Sequence, residues 1–200
     1  MSNRGRVVLL IPGIFDRGKS MHRMEAVLDS AGFSAYYIHL QYNSGWYGME
    51  FLAHQLKSQV EELVEPDQTC ALVGFSMGGI VARHYIQVLG GQERVHKYIS
   101  IASPHFGSVW ANCLPYRGGR QLSVGSEFLA RLNREIHSLE PLEPVSIWTR
   151  YDATILPHRS ALLPLGNTYE VPVALHRWVP LDRRVIDIVS DELGTAPAPR

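Results

Sequence analysis

Apolar residues along this chain fall into short, nearly unbroken runs rather than into alternation with polar residues. Alternation is lost when both faces of a strand are buried, so such runs are typical of strands inside a covered sheet. The predicted strands are residues 7–11, 35–40, 70–74, 98–102, 145–148 and 171–175.

Segments with helical spacing of apolar residues separate several of these strands. Such alternation of strands and helices predicts a mostly parallel sheet with helices on both faces. We therefore expect one α/β domain of about six strands over residues 1–194, followed by a flexible tail at 195–200. The predicted helices are residues 20–31, 49–64, 77–89, 126–136 and 182–193.

The interval between the strands at 98–102 and 145–148 is longer than a usual crossover connection. Its first part, residues 103–125, combines aromatic side chains with paired glycines. An insertion of this composition often covers a ligand site, so we expect a short lid or rim there. A plain surface loop is the alternative.

Charge and cysteine content exclude several classes of protein. The 200 residues carry 19 Lys and Arg against 19 Asp and Glu, so no nucleic-acid partner is expected. Cys70 and Cys113 have no CxxC partner and are predicted to be free thiols, and the histidine spacing contains no metal-binding pair. The run at 7–11 is too short for a signal peptide or a membrane span, which favours a cytoplasmic protein; export after removal of a leader is the alternative.

The segment Gly74-Phe75-Ser76-Met77-Gly78 places a serine between two glycines, where a predicted strand meets a predicted helix. A tight turn at this point would project the hydroxyl from the edge of the sheet, and a Cβ at either glycine would collide with neighbouring backbone. The N–H groups of the helix start could then hold a developing negative charge. The pattern predicts a nucleophilic serine; a chance match to GxSxG is the alternative.

Three segments carry a resemblance to a known family. "VGFSMGGIVARHYI" resembles the nucleophile elbow of α/β-hydrolases, in particular lipases and carboxylesterases. "VVLLIPGIFDRG" is similar to their oxyanion-forming segment, except that Pro12 replaces the usual His, and "ISIASPHFGS" and "SEFLARLN" are similar to segments that follow. The resemblance implies a minimal α/β-hydrolase fold and a carboxylic ester hydrolase that uses no cofactor and no metal.

In the resembling family the catalytic order is Ser, then Asp or Glu, then His, with each residue at the end of a successive strand. His176 is the only histidine beyond the last predicted strand, and Asp152 follows the strand before it. We therefore predict that His176 is the base that activates Ser76 and that Asp152 orients it. His105 and His158 are the rival bases, and a turn-capping role is the alternative for Asp152.

The oxyanion hole is predicted from the same resemblance. One donor is the N–H of Met77, directly after the nucleophile, and the other lies in the loop after the first strand. Ile14 is the predicted second donor, with Phe15 as the alternative.

Loops that follow the parallel strands converge on one edge of the sheet, and here they are strongly apolar. They favour an apolar acyl group, and no Lys or Arg clamp for a phosphate or carboxylate is expected. Each aromatic residue taken alone could equally belong to the core. The predicted substrate-binding residues are Phe15, Trp46, Phe106, Trp110, Leu114 and Ile155.

Together these features predict a serine hydrolase that cleaves carboxylic esters of apolar acyl groups through an acyl-enzyme on Ser76. Its expected partner is a small ester or lipid substrate, with transient contact at a lipid interface. An acyltransferase or a thioesterase that uses the same three residues is the alternative, and a non-catalytic binding protein is a third.

Overall fold

The computed structural model describes residues 6–16 and 19–194 and contains a six-stranded sheet. Its strands lie in the order β2-β1-β3-β4-β5-β6, and every neighbouring pair is parallel. The predicted number and direction of the strands are therefore confirmed. The strands are β1 Val7–Ile11, β2 Ser34–Tyr37, β3 Cys70–Phe75, β4 Val95–Ile101, β5 Val145–Trp148 and β6 Asn167–Glu170.

Helices cover both faces of the sheet. The α-helices are α1 His22–Ser30, α2 Met49–Leu63, α3 Met77–Val88, α4 Arg117–Leu122, α5 Glu127–Arg134 and α6 Arg183–Gly194. Short 3₁₀ helices span Gly91–Glu93, Val109–Cys113, Ile136–Leu142, His158–Ala161 and His176–Leu181. None of the helices in the described ranges is both long and apolar enough to cross a membrane.

Two hydrophobic cores lie on opposite faces of the sheet. Successive residues of β1 point to opposite sides, so Leu9 packs with α2, α3 and α5, and Leu10 packs with α1 and α6. Both leucines are fully buried, and burying a leucine side chain contributes about 1.5–3 kcal/mol. The apolar runs in the sequence are thus unbroken because both faces of the strand are buried, as predicted.

Two predicted elements are displaced. The last strand was expected at 171–175, but β6 is Asn167–Glu170, a polar strand at the edge of the sheet. The apolar residues Val171 and Val173 are buried in the core beneath it, outside the strand itself. Helix α1 starts at His22 instead of residue 20, because the Ser20 hydroxyl donates to Asp16 rather than capping the helix.

The other edge strand, β2, ends at Tyr37, three residues before the predicted end. Residues 38–41 lie outside the strand, and two glutamine side chains of α2 bind the backbone of this segment. Gln59 binds the N–H and the carbonyl of His39, at 3.0 and 2.9 Å. Gln55 binds the same two groups of Gln41, at 2.8 and 3.1 Å.

The predicted tail at 195–200 lies outside the described residues.

A buried ion pair connects α6 to the sheet. Lys97 of β4 lies 2.9 Å from Glu192 of α6, and their side chains are 2% and 7% exposed. Asn167 and Tyr169 of β6 donate to the other oxygen of this carboxylate, at 2.9 and 2.6 Å. The carboxylate therefore receives donors from β4 and β6, two strands that are separated by β5.

Replacing one partner of this pair should destabilise the fold, because it leaves the other charge buried alone. We expect Glu192→Leu to lower the free energy of unfolding by about 3–5 kcal/mol, and the added change Lys97→Met to recover part of that loss. Urea unfolding measures both. The control is Glu61→Leu, since Glu61 pairs with Lys57 on the exposed side of α2 and should cost about 0–1 kcal/mol. Equal losses for Glu192→Leu and Glu61→Leu would contradict the expectation.

Candidate active site

β3 runs directly into a tight turn at Ser76, and α3 begins at the next residue. Ser76 has φ 52° and ψ −122°, a backbone conformation that costs a non-glycine residue about 1–3 kcal/mol. A Cβ on Gly74 would lie 2.5 Å from the Gly79 Cα, and a Cβ on Gly78 would lie 2.3 Å from the Ile11 carbonyl oxygen. The turn therefore requires glycine at both predicted positions.

Three side chains from distant parts of the sequence form one hydrogen-bonded chain at this turn. The Ser76 hydroxyl lies 2.9 Å from Nε2 of His176, and Nδ1 of His176 lies 2.7 Å from a carboxylate oxygen of Asp152. An ionised carboxylate can only accept, so Nδ1 carries the hydrogen and Nε2 is free to accept the serine proton. The structure thus brings together the three residues predicted to act on the substrate.

Asp152 is held in place by backbone donors of the loop that follows β5. The N–H groups of Thr154 and Ile155 donate to its second oxygen, at 2.8 and 3.0 Å. Burial raises the pKa of this carboxyl, but the hydrogen bond and charge of His176 and the two N–H donors outweigh burial, so the pKa lies below its usual value. Asp152 is therefore ionised at neutral pH and oriented toward the imidazole.

An aromatic ring covers one face of the imidazole. The rings of Phe75 and His176 have their centroids 4.9 Å apart and their planes tilted by 32°. A Cβ on Gly13 would lie 3.0 Å from the Phe75 ring, so the loop after β1 also packs against this ring. The imidazole is thus fixed by a ring contact as well as by its two hydrogen bonds.

The loop after β1 also passes beside the nucleophile, since a Cβ on Gly13 would lie 3.3 Å from the Ser76 Cβ. Within residues 6–16 and 19–194, the N–H groups of Ile14 and Met77 donate to no protein acceptor. Phe15, the alternative donor, already donates to a backbone carbonyl of the loop after β2, 3.4 Å away. The open donors are therefore those of the two residues predicted for the oxyanion hole.

A cavity of about 600 Å³ opens beside Ser76 and His176. Its volume lies in the range of small-molecule sites, about 300–1,000 Å³. The cavity extends between the loop after β1 and the 3₁₀ helix that begins at His176. The apolar part of its wall consists of Ile14, Phe15, Phe75, Trp178 and Leu181.

Most of the predicted substrate-binding side chains lie elsewhere. Phe15 lines the cavity, but the five others do not; from the loop after β5, Thr154 lines the cavity whereas Ile155 does not. The Ile155 side chain is buried, and its backbone N–H donates to Asp152. The Trp46 ring packs on that of Tyr116, with ring centroids 5.4 Å apart. The five side chains outside the cavity lining are Trp46, Phe106, Trp110, Leu114 and Ile155.

The cavity also contains residues that sequence reasoning missed. Lys19 and Arg177 line it, and neither was among the site residues predicted from the sequence. Trp178 and Leu181 were missed because their segment resembled a plain loop before the last helix. The available signal was their position, since residues directly after the predicted base must lie near it.

The rival histidines lie outside the cavity lining. His105 is fully buried, its Nε2 lies 3.0 Å from the Ser100 hydroxyl, and burial together with the charge of Arg83 holds its pKa well below the usual value. His158 begins a short 3₁₀ helix after the loop of Asp152. In the described ranges, no three or more His, Cys, Asp or Glu side chains are grouped in a way that could hold a metal ion.

A family model described as palmitoyl protein thioesterase matches residues 7–118 of the chain. The chain belongs to this family. The matched palmitoyl protein thioesterase region includes Ser76 and the loop after β1, whereas Asp152 and His176 lie beyond it. A search of curated proteins finds no significant match.

Solved structures show the same fold as this member of the palmitoyl protein thioesterase family. Aspergillus fumigatus lipase B has a TM-score of 0.81 at 15% identity, over 96% of this chain and 53% of the lipase, so this chain spans about half of that length. The mature form of Bacillus licheniformis lipase BlEst2 has a TM-score of 0.79 at 13% identity, over 94% and 91%. The metagenomic carboxyl esterase MGS0156 has a TM-score of 0.69 at 12% identity, over 96% and 77%. The predicted α/β-hydrolase fold is thereby confirmed.

The glycine contacts of the turn can be tested by adding a single methyl group. We expect Gly78→Ala to lower the free energy of unfolding by about 1–3 kcal/mol, because its Cβ would meet the Ile11 carbonyl oxygen and push α3 away from β1. The control is Gly194→Ala in α6, where a Cβ would meet nothing within 4 Å. Thermal or urea unfolding of both variants measures the difference. Equal stability of the two variants would show that the approach of α3 to β1 is not tight.

Proposed function

We propose that the protein is a serine hydrolase that cleaves esters and thioesters of apolar acyl groups. The observation that carries this proposal is the hydrogen-bonded chain from Ser76 through His176 to Asp152, opening into a partly apolar cavity. A structural role alone does not explain a serine held in a strained conformation, with its hydroxyl against an imidazole.

In the first half of the proposed reaction, the Ser76 oxygen attacks the carbonyl carbon of the substrate while its proton passes to Nε2 of His176. The positive imidazole is stabilised by the ionised carboxylate of Asp152, which accepts from Nδ1. The negative oxygen formed on the substrate accepts from the N–H groups of Met77 and Ile14. Such donors typically contribute about 2.7–4 kcal/mol each to transition-state stabilisation.

In the second half, the proton on His176 passes to the leaving alcohol or thiol as its bond to the carbonyl carbon breaks. An acyl group then remains on the Ser76 oxygen. Water attacks this ester, again giving its proton to His176, and the acid leaves while the serine regains its hydrogen. If an alcohol or thiol replaces this water, the same residues perform acyl transfer.

The choice between an ester and a thioester as substrate depends on the leaving atom. The family model is named for a thioesterase, which favours a thioester, whereas the solved structures with the same fold include lipases and an esterase. The apolar wall of the cavity supports an apolar acyl group in either case. A cytoplasmic location and transient contact with a lipid interface remain predictions.

Residues 103–125 support the site as a rim in this proposal. The Ser108 hydroxyl donates to the Thr154 carbonyl at 2.7 Å and accepts from the Leu156 N–H at 3.2 Å. The Val109 N–H donates to the Leu156 carbonyl at 2.9 Å. The segment thus stabilises the loop that contains Asp152. A lid movement of the whole segment would break these hydrogen bonds.

Replacement of the nucleophile should abolish turnover. We expect Ser76→Ala to lower kcat at least about 10³-fold, because Ser76 is the only hydroxyl bonded to His176 within residues 6–16 and 19–194. Asp152→Asn should lower kcat by a similar order, because it favours the wrong imidazole tautomer. Hydrolysis of an activated octanoyl ester measures this, and a phosphonate probe should label the wild-type protein at Ser76. Ser58→Ala on the exposed side of α2 is the control and should keep full activity. Near-normal turnover by Ser76→Ala would overturn the assignment.

Paired substrates with the same acyl chain should separate the activities. We expect octanoyl thioesters to be cleaved with higher kcat/KM than the matching oxygen esters, since the thiolate leaves more readily. An added alcohol or thiol tests acyl transfer, because a transferase would form the new ester while a hydrolase releases mainly free acid. Predominant transfer at low acceptor concentration would identify an acyltransferase instead.

A further inference from the structure

Two positive charges in the cavity wall have no salt-bridge partner in the part of the chain that the structure describes. Lys19 lies in the loop between β1 and α1, and Arg177 lies in the 3₁₀ helix that begins at His176. Both side chains are exposed to solvent. Within residues 6–16 and 19–194, neither takes part in a salt bridge or a side-chain hydrogen bond.

Other arginines in the same part of the molecule have partners. Arg183 lies 3.6 Å from Asp187, and Arg184 lies 2.8 Å from Asp182. Arg23 donates to a backbone carbonyl, that of Leu181, at 3.1 Å. Arg177 therefore differs from these three arginines, each of which has an acceptor.

The carboxylate in the cavity wall, Asp16, is already engaged. It accepts from the Ser20 hydroxyl, and its backbone carbonyl accepts from Tyr37 and Asn43. One negative and two positive groups leave the cavity wall with an excess of positive charge. The cavity wall thus combines exposed cations with apolar side chains.

We propose that Lys19 and Arg177 select substrates whose leaving group carries a phosphate or carboxylate, while the apolar wall receives the acyl chain. This inference rests on the proposed hydrolase function and names its substrate class. The anion belongs on the leaving group because an anion on the acyl chain would have to enter the apolar wall formed by Phe75, Trp178 and Leu181. An arginine and a lysine at the edge of a cavity are the usual partners of such groups.

The test compares octanoyl thioesters of thiols that share one amide core and differ at the far end. In four substrates this far end of the thiol is neutral or carries a carboxylate, a phosphate or a trimethylammonium group. A fifth substrate carries its carboxylate at the end of the acyl chain instead. We expect kcat/KM for the two anionic leaving groups to exceed that of the neutral one about 5-fold or more, and the cationic one to be the poorest. Raising the ionic strength from 0.05 to 0.5 M should reduce the ratio, since the charges are exposed.

Charge-removing variants test the two residues directly. Lys19→Gln and Arg177→Gln should each lower the ratio of anionic to neutral kcat/KM about 2- to 5-fold, as expected for exposed charge pairs. Lys57→Gln on α2, whose charge pairs with Glu61, is the matched control and should leave the ratio unchanged. A ratio near one in the wild type, an equal ratio in all variants, or a preference for the anion on the acyl chain would each overturn the proposal.

Binding separates this proposal from the proposed function. Thioether analogues, in which a methylene replaces the carbonyl, can be titrated calorimetrically into the Ser76→Ala protein. Tighter binding of the anionic analogue, lost in the added Arg177→Gln variant, supports the anion site even if the wild type cleaves no substrate. If the wild type cleaves all the thioesters, but neither cleavage nor binding distinguishes anionic from neutral leaving groups, the proposed hydrolase function stands and the anion site is rejected.

Discussion

The site depends on the close approach of the first turn of α3 to the end of β1. At Gly78 the α3 backbone leaves no room for a side chain against the Ile11 carbonyl oxygen, and at Gly74 the strand meets the helix backbone. This contact maintains the strained conformation of Ser76 and sets the N–H of Met77 beside the loop that carries Ile14. The position of the nucleophile and both candidate oxyanion donors thus follow from one backbone contact.

Much of this architecture could be predicted from the sequence because its causes are local. A buried strand, two glycines and an immediate helix predicted the turn at Ser76, and the glycine contacts agree with that reading. The chain order of strands led to Asp152 and His176, which the structure joins to Ser76. Even so, His176 follows an edge strand displaced from its predicted position, since a polar edge strand has no apolar signal.

The cavity could not be predicted in the same way. Its wall depends on the side of the site toward which each loop turns, and that direction depends on tertiary contacts rather than on residue type. Trp110 and Phe106 are as apolar as Phe15, yet only Phe15 lines the cavity. Lys19 and Arg177 are ordinary surface cations in the sequence, and only their common position beside Ser76 makes them informative.

The two glutamines of α2 that bind His39 and Gln41 also affect how copies of the molecule can meet. An extended segment at the edge of a sheet normally offers free N–H and carbonyl groups to a strand of another molecule. Here Gln55 and Gln59 occupy those groups along the stretch that follows β2. The backbone groups of His39 and Gln41 are therefore already bonded and are not free to pair with a strand of another molecule.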